Sequence, residues 1–161
     1  MVANASCQGH DDPLDRLLGY VDFRKDIIDG DLADFTCLVG TMTQEVYSSS
    51  PAILEACAAS IFGHAVTLEP DIRAAMETRG IKASWSAASL AAHTQAVLRG
   101  AFIFAKASGD REIARESVHH PRRYIEMLFG AETTPRSFPT AISTASTQHE
   151  AIFRVGRKVA T

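Results

Sequence analysis

From Ala88 to Gly130 the sequence lays down two apolar helical stripes separated by one tight break, Ser108-Gly109-Asp110. Leu90, Thr94, Val97, Leu98, Ala101, Phe102 and Ala105 recur at steps of three and four, which puts them on one face of a helix. Ile113, Ser117, Tyr124, Ile125 and Leu128 continue the pattern up to Gly130. Gly109 suits the left-handed position just past a helix end, and Asp110 can cap the helix that follows. Helices joined in this way form an αα-hairpin, the usual raw material of a four-helix seam between two copies of a chain. So much apolar surface needs cover, and partner binding is expected ahead of catalysis.

The upstream segments carry the same periodicity. Asp12-Pro13 reads as a cap followed by proline at the first helical position, and Leu14, Leu17, Leu18, Val21, Ile27 and Ile28 form a stripe ending at Gly30. A second helix is expected from Asp31 or Leu32 to about Tyr47, with Phe35, Leu38, Val39, Met42 and Val46 in register. Ser50-Pro51 opens a third, whose stripe Leu54, Cys57, Ile61, Ala65, Leu68, Ile72 and Met76 is interrupted by Pro70. A proline inside a helix removes a backbone donor and clashes with the preceding turn, so a kink or break is expected near Leu68-Glu69. After the linker Arg79 to Ser84, Ser84 or Ser86 caps the fourth helix, and His119-His120-Pro121 marks another kink in the fifth. No alternating segment is long enough to demand a strand. The fold expected is all-α, a bundle of five to six helices over residues 12–130. Residues 1–11 and the Ser/Thr/Pro-rich tail 131–161 are expected to be mostly disordered, because they cannot bury enough apolar area to offset ordering. Ala151 to Val155 is a candidate helical fragment.

Charge and cysteine content exclude several functions. The net charge is −3, from 19 acidic and 16 basic side chains, and the basic clusters are only Arg122-Arg123 and Arg154 with Arg157-Lys158. A duplex reader neutralises phosphates with a concentrated basic face, so direct DNA binding by this chain alone is not expected. The three cysteines, Cys7, Cys37 and Cys57, are an odd number, and reduced thiols fit a cytoplasmic location. Met1 to His10 lacks a signal segment, and no apolar run was found near the roughly 18 residues of a membrane span. His119 and His120 are adjacent and point about 100° apart, unlike the one-turn spacing that chelates zinc. No nucleophile elbow, phosphate-binding loop, dinucleotide turn or zinc-protease motif occurs. No metal, cofactor or catalytic residue is expected.

Phe35-Thr36-Cys37-Leu38-Val39-Gly40-Thr41, then Gln44-Glu45-Val46 and Pro51-Ala52-Ile53-Leu54-Glu55-Ala56-Cys57, make a familiar order of pieces. With Leu98 to Ala107 and Arg122 to Gly130 they resemble the C-terminal effector-binding and dimerisation domain of TetR-family transcriptional regulators. The resemblance covers about residues 12–130. It implies a homodimer whose interface draws on Leu98, Ala101, Phe102, Ala105, Ile113, Ser117, Tyr124, Ile125 and Leu128. It also implies a pocket among the first four helices for a small apolar or aromatic effector. Tyr20, Phe35, Met42, Ile61, Phe62, Trp85, His93 and Val97 are the candidates for its walls, the alternatives being core filling for a Met or aromatic residue, a surface-anchored cap for Trp85 and a satisfied core or surface histidine for His93. Family members place a helix-turn-helix head before this domain, and eleven residues leave no room for one, so the expectation is a ligand-sensing dimerisation domain without its own head. The alternative is a stand-alone helical module forming mixed dimers with full-length regulators; a cofactor-free enzyme in a helical cavity is a third reading. Gly100 and Ala101, small residues in mid-helix, fit close approach of another helix, either a second copy's or the chain's own next one.

Overall fold

The computed structural model describes residues 9–29, 31 and 37–130, and among them run six helices: α1 (Pro13–Asp26), α2 (Leu38–Val46), α3 (Pro51–Val66), α4 (Glu69–Thr78), α5 (Ala87–Ser108) and α6 (Glu112–Leu128). No strand occurs among the described residues. The all-α expectation holds. Residues 1–8, Phe35 and the Ser/Thr-rich tail with its candidate helical fragment lie outside the described residues.

Local chemistry sets most of the boundaries. The Asp12 side chain accepts a hydrogen bond from the Leu14 amide at 2.7 Å, and Pro13 occupies the first turn where its missing N–H costs nothing. Ser86 and Ser89 cap α5 reciprocally, each hydroxyl accepting from the other's backbone amide at 3.1 Å. At the other end Gly109 takes φ +73°, the left-handed geometry that releases the chain into α6. Asp110 Oδ1 accepts from the Glu112 amide at 2.9 Å, so it serves the start of α6 although Arg111 is the flanking residue.

Four expectations need correction. The first helix closes at Asp26, and Ile28 reaches the core from outside it, wholly buried. Ser50 precedes α3 without a side-chain capping bond. The break expected near Leu68-Glu69 is present at Thr67-Leu68 and begins a separate helix α4, but the kink expected at His119-His120-Pro121 is not: Pro121 sits buried inside an uninterrupted α6. Finally, an 18-residue window within Pro51–Thr78 has a mean hydropathy of 1.4 and meets the length and composition of a membrane span, which the sequence reading missed. In the structure that stretch is two helices, the second opening with Glu69 and Asp71.

The core is shared by α1, α4, α5 and α6. Leu14, Leu17 and Val21 of α1 meet Leu68 and Ile72 beside α4, Leu98 of α5, and Val118 and Ile125 of α6, all of them almost entirely removed from water. Burying side chains of this size contributes roughly 1.5–3 kcal/mol each before entropy is counted. α5 and α6 pack as the expected hairpin, α1 lies against α4 and α6, and α3 lies against α5. α2 packs on α3 and has no buried residue, which places it at the periphery. Arginines pin α1 from both sides: Arg16 pairs with Asp71 of α4 at 2.8 Å, and Arg122 of α6 pairs with Asp22 at 3.1 Å. Asp12 is doubly used, because it also pairs with Arg79 past the end of α4 at 2.8 Å. The Asp12→Ala variant is expected to lose about 1 kcal/mol, mostly from the cap, since a half-exposed ion pair adds little. A urea midpoint unchanged from the parent would contradict that assignment.

Candidate functional site

Two helices that pack mainly through other neighbours, α1 and α5, are bridged by long polar side chains. Gln95 Nε2 donates to the Tyr20 hydroxyl at 2.7 Å, deep in the interior, where Tyr20 and Gln95 are both buried. One turn further along each helix stand Arg24 and Arg99. The i, i+4 spacing therefore puts Tyr20 and Arg24 on one face of α1, and Gln95 and Arg99 on one face of α5. The Arg24 guanidinium lies 5.8 Å from the centroid of the Phe102 ring, another residue of that side of α5.

Polar groups in this stripe lack partners. Among the described residues, the buried side-chain nitrogen and oxygen atoms without a hydrogen bond are Arg24 Nε, Arg99 Nε and Gln95 Oε1. Most buried polar atoms in folded proteins find partners, and an unmade bond costs about 1–3 kcal/mol. Arg99 Nη1 donates to the Cys37 thiol, a weak acceptor. Neither arginine pairs with a carboxylate among the described residues, unlike Arg16, Arg79 and Arg122. His64 of α3 lies within reach of the same charges. Its pKa falls below the ordinary 6.5, first because partial burial disfavours the charged imidazole, then because Arg99 and Arg24 oppose a further positive charge.

Beside the stripe, Arg99 and Phe102 also line a small cleft between the start of α2 and α5, with a volume of about 50 Å³. Cys37, Gly40, Thr41 and Gln44 form one wall, and Arg99, Phe102, Ile103 and Lys106 the other. Gly40 keeps the first wall low, because a Cβ there would come within 3.0 Å of the Cys37 sulfur. No described carboxylate lines the cleft. No cluster of three or more metal-ligating side chains occurs among the described residues.

Of the residues singled out as pocket walls, the structure places Tyr20 in this stripe. Met42 is half-buried on peripheral α2, Ile61 is half-buried, and Phe62 is largely exposed on α3. Trp85 packs edge-on against Phe129 with ring centroids 5.8 Å apart, closing the end of α6 rather than a cavity. His93 is exposed and meets the Tyr124 ring at 5.4 Å, and Val97 is half-buried one turn beyond it. Arg24, Gln95 and Arg99 were overlooked. The available signal was a pair of polar residues at i, i+4, Gln95 and Arg99, on a helix otherwise rich in alanine and leucine.

The expected dimer residues divide by burial. Leu98, Ala101, Phe102, Ala105 and Ile125 face the chain's own core, each at most 6% exposed, so a second copy cannot reach them in this fold. Ile113, Ser117 and Leu128 are half-buried, and Tyr124 is 43% exposed. Winding α5 at 100° per residue sets His93, Ala96, Gly100, Phe104 and Ala107 opposite Leu98. On α6 the same winding aligns Ile113, His120, Tyr124 and Met127 on the adjoining outward face. Phe104 and Met127 are 67% and 69% exposed. The His93–Tyr124 contact joins the two rows into one surface. A Cβ placed on Gly100 would meet nothing within 4 Å, so none of the described residues explains that glycine.

A comparison with protein families matches residues 13–120 to the family described as tetracyclin repressor-like, C-terminal domain. Comparisons with curated proteins and with solved structures give no match. The matched span takes in α1 to α5 whole and the first half of α6. The resemblance read from the residues thus agrees with an independent comparison over two thirds of the sequence, and the chain belongs to the tetracyclin repressor-like, C-terminal domain family.

Proposed function

We propose that this chain is the effector-sensing and dimerising domain of a TetR-like transcriptional regulator. Its family is one of regulators rather than enzymes, and such domains pair and bind small effectors. The observation that carries the sensing half is the gathering of Arg24 Nε, Arg99 Nε and Gln95 Oε1, all unpartnered, into one stripe between α1 and α5. Polar groups left short in the unliganded chain are what a ligand can satisfy. A guest there has differential contacts with two arrangements of α1 against α5, the requirement for shifting a conformational population. Because Arg16, Asp12 and Asp22 tie α1 to its neighbours, a changed tilt of α1 would pass to α4 and α6. In regulators of this kind such a tilt sets the spacing of attached DNA-binding heads. The dimerising half is supported by the outward rows on α5 and α6, an exposed surface that runs from Met127 and Tyr124 beside His93, past Gly100, to Phe104.

A thermal-shift screen tests the sensing half. A panel of small organic acids and their neutral amides is expected to contain at least one compound that raises the unfolding midpoint in proportion to the logarithm of its concentration. A panel in which no compound, acid or amide, moves the midpoint would defeat the sensor reading.

A further inference from the structure

The most apolar helix of the fold, α3, is sparsely covered. Within Pro51–Thr78 an 18-residue window has the composition of a membrane span, yet only 17% of it is buried, and α3 hides just Cys57 and Ala65. Glu55, Ala59, Phe62 and Val66 recur at steps of four, three and four, which sets them on one face of α3. All four are exposed, Phe62 by 63% and Val66 by 58%. Gly63 stands beside them with open space where a Cβ would point. A row of this kind calls for cover, unlike apolar residues scattered singly over a surface. The charge around it is one-sided. No Lys or Arg occurs between Lys25 and Arg73, so α2 and α3 carry no fixed cation. Glu55, at the head of the row, has no ion-pair partner among the described residues. A bilayer does not fit this surface. α3 is about 24 Å long against roughly 30 Å of hydrocarbon, Glu69 and Asp71 follow it, and no cation is at hand for anionic headgroups.

We propose that the occupant of this face is the chain's own segment Ala151 to Val159, docked along α3. The segment lies outside the described residues and has the complementary composition: Arg154, Arg157 and Lys158 with no acid, interleaved with Ile152, Phe153, Val155 and Val159. Wound as a helix, it sets Ile152, Val155 and Val159 on one face at steps of three and four, the pattern of a helix laid on an apolar surface. With the two helices antiparallel, Ile152 lies over Phe62 and Val66, and Lys158 arrives at Glu55. The spacing agrees, because Ile152 to Lys158 rises about 9 Å and Phe62 to Glu55 about 10.5 Å. Residues 131–150 supply the tether. A tether of that length spans about 25 Å on average, against a radius of gyration of about 14 Å for a domain of this size, so any face is within reach. It holds the segment at an effective concentration of about 1 mM, far above that of a second copy at micromolar concentrations. A contact with a dissociation constant of only about 0.1 mM is then closed about ten-elevenths of the time.

Zero-length carbodiimide coupling of the full chain tests the docking, since Lys158 is the only lysine after Lys106. Peptide mapping is expected to find Lys158 joined to Glu55 at least about fivefold more often than to any other acid of the described residues. When heavy- and light-isotope chains are mixed, the joined peptides should come from one chain. Phe62 and Val66 are exposed, so Phe62→Ser with Val66→Ser leaves the core intact and should lower that linkage about fivefold or more. Ile152→Ser with Val155→Ser should do the same. Hydrogen exchange gives a second readout: amides 152–159 should exchange about tenfold more slowly in the parent than in the Ile152→Ser, Val155→Ser variant. Linkages spread evenly over the acids of the domain would overturn the proposal. So would heavy–light linkages in statistical proportion, which assign the face to a second copy, and so would equal exchange in parent and variant.

Discussion

Gly100→Arg is expected to remain folded and to exist as a single chain at concentrations where the parent forms pairs. Among the described residues nothing opposes the substitution: a Cβ at Gly100 meets nothing within 4 Å, and α5 is helical on both sides of it. Replacing a mid-helix glycine with arginine should even favour the helix by roughly 0.5–1 kcal/mol. Between chains the effect reverses. Gly100 lies near the middle of the outward face, between His93, which meets Tyr124 of α6, and Phe104 on α5. Helices that approach over a glycine have no space for a guanidinium, and a matching arginine on the partner would add like-charge repulsion across a symmetric seam. The dissociation constant should rise at least about 100-fold, about 2.7 kcal/mol of association free energy. Sedimentation velocity over a dilution series reads the change, and far-ultraviolet dichroism confirms that the helices persist. A variant that still pairs like its parent would move the seam off this face. A parent that is a single chain at every concentration would remove it.

The parts of the fold legible from residues alone are those fixed by local chemistry. Asp12-Pro13, Pro70 and Ser108-Gly109 each mark a boundary because capping, the missing proline N–H and a left-handed turn act within one helical turn. The periodicity of α5 likewise showed that Leu98, Ala101, Phe102 and Ala105 share a face. It could not show what covers that face. An apolar stripe is equally satisfied by the chain's own α1 and α6 or by a second copy, and the structure gives it to the former. The site was less legible for the converse reason. Gln95 and Arg99 resemble ordinary solvated positions until α1 brings Tyr20 and Arg24 across from 75 residues earlier in the chain. Large aromatic residues drew attention instead, and Trp85 and His93 proved to be packed against Phe129 and Tyr124. Long-range pairing of polar groups leaves no periodic trace in a sequence.

Leu98→Ala separates core from seam and carries the largest expected loss of stability. Leu98 is wholly buried at the middle of α5, inside the cluster formed with Leu17, Val21, Ile125 and their neighbours. Removing most of its side chain forfeits its transfer free energy and leaves a cavity that rigid helices on three sides cannot collapse, a cost of about 2–5 kcal/mol. Against a total of roughly 5–15 kcal/mol for a domain of this kind, that is a substantial fraction. Association should respond differently. Leu98 points away from Gly100 by more than half a turn of the helix, so folded chains of the variant should pair with a dissociation constant within about threefold of the parent's. Equilibrium urea unfolding at two protein concentrations, combined with sedimentation, distinguishes the terms: the loss should be the same in the Gly100→Arg background as in the parent. If Leu98→Ala instead abolished pairing while leaving the unfolding of the single chain unchanged, the residue would belong to the seam and the burial assigned to it here would be wrong.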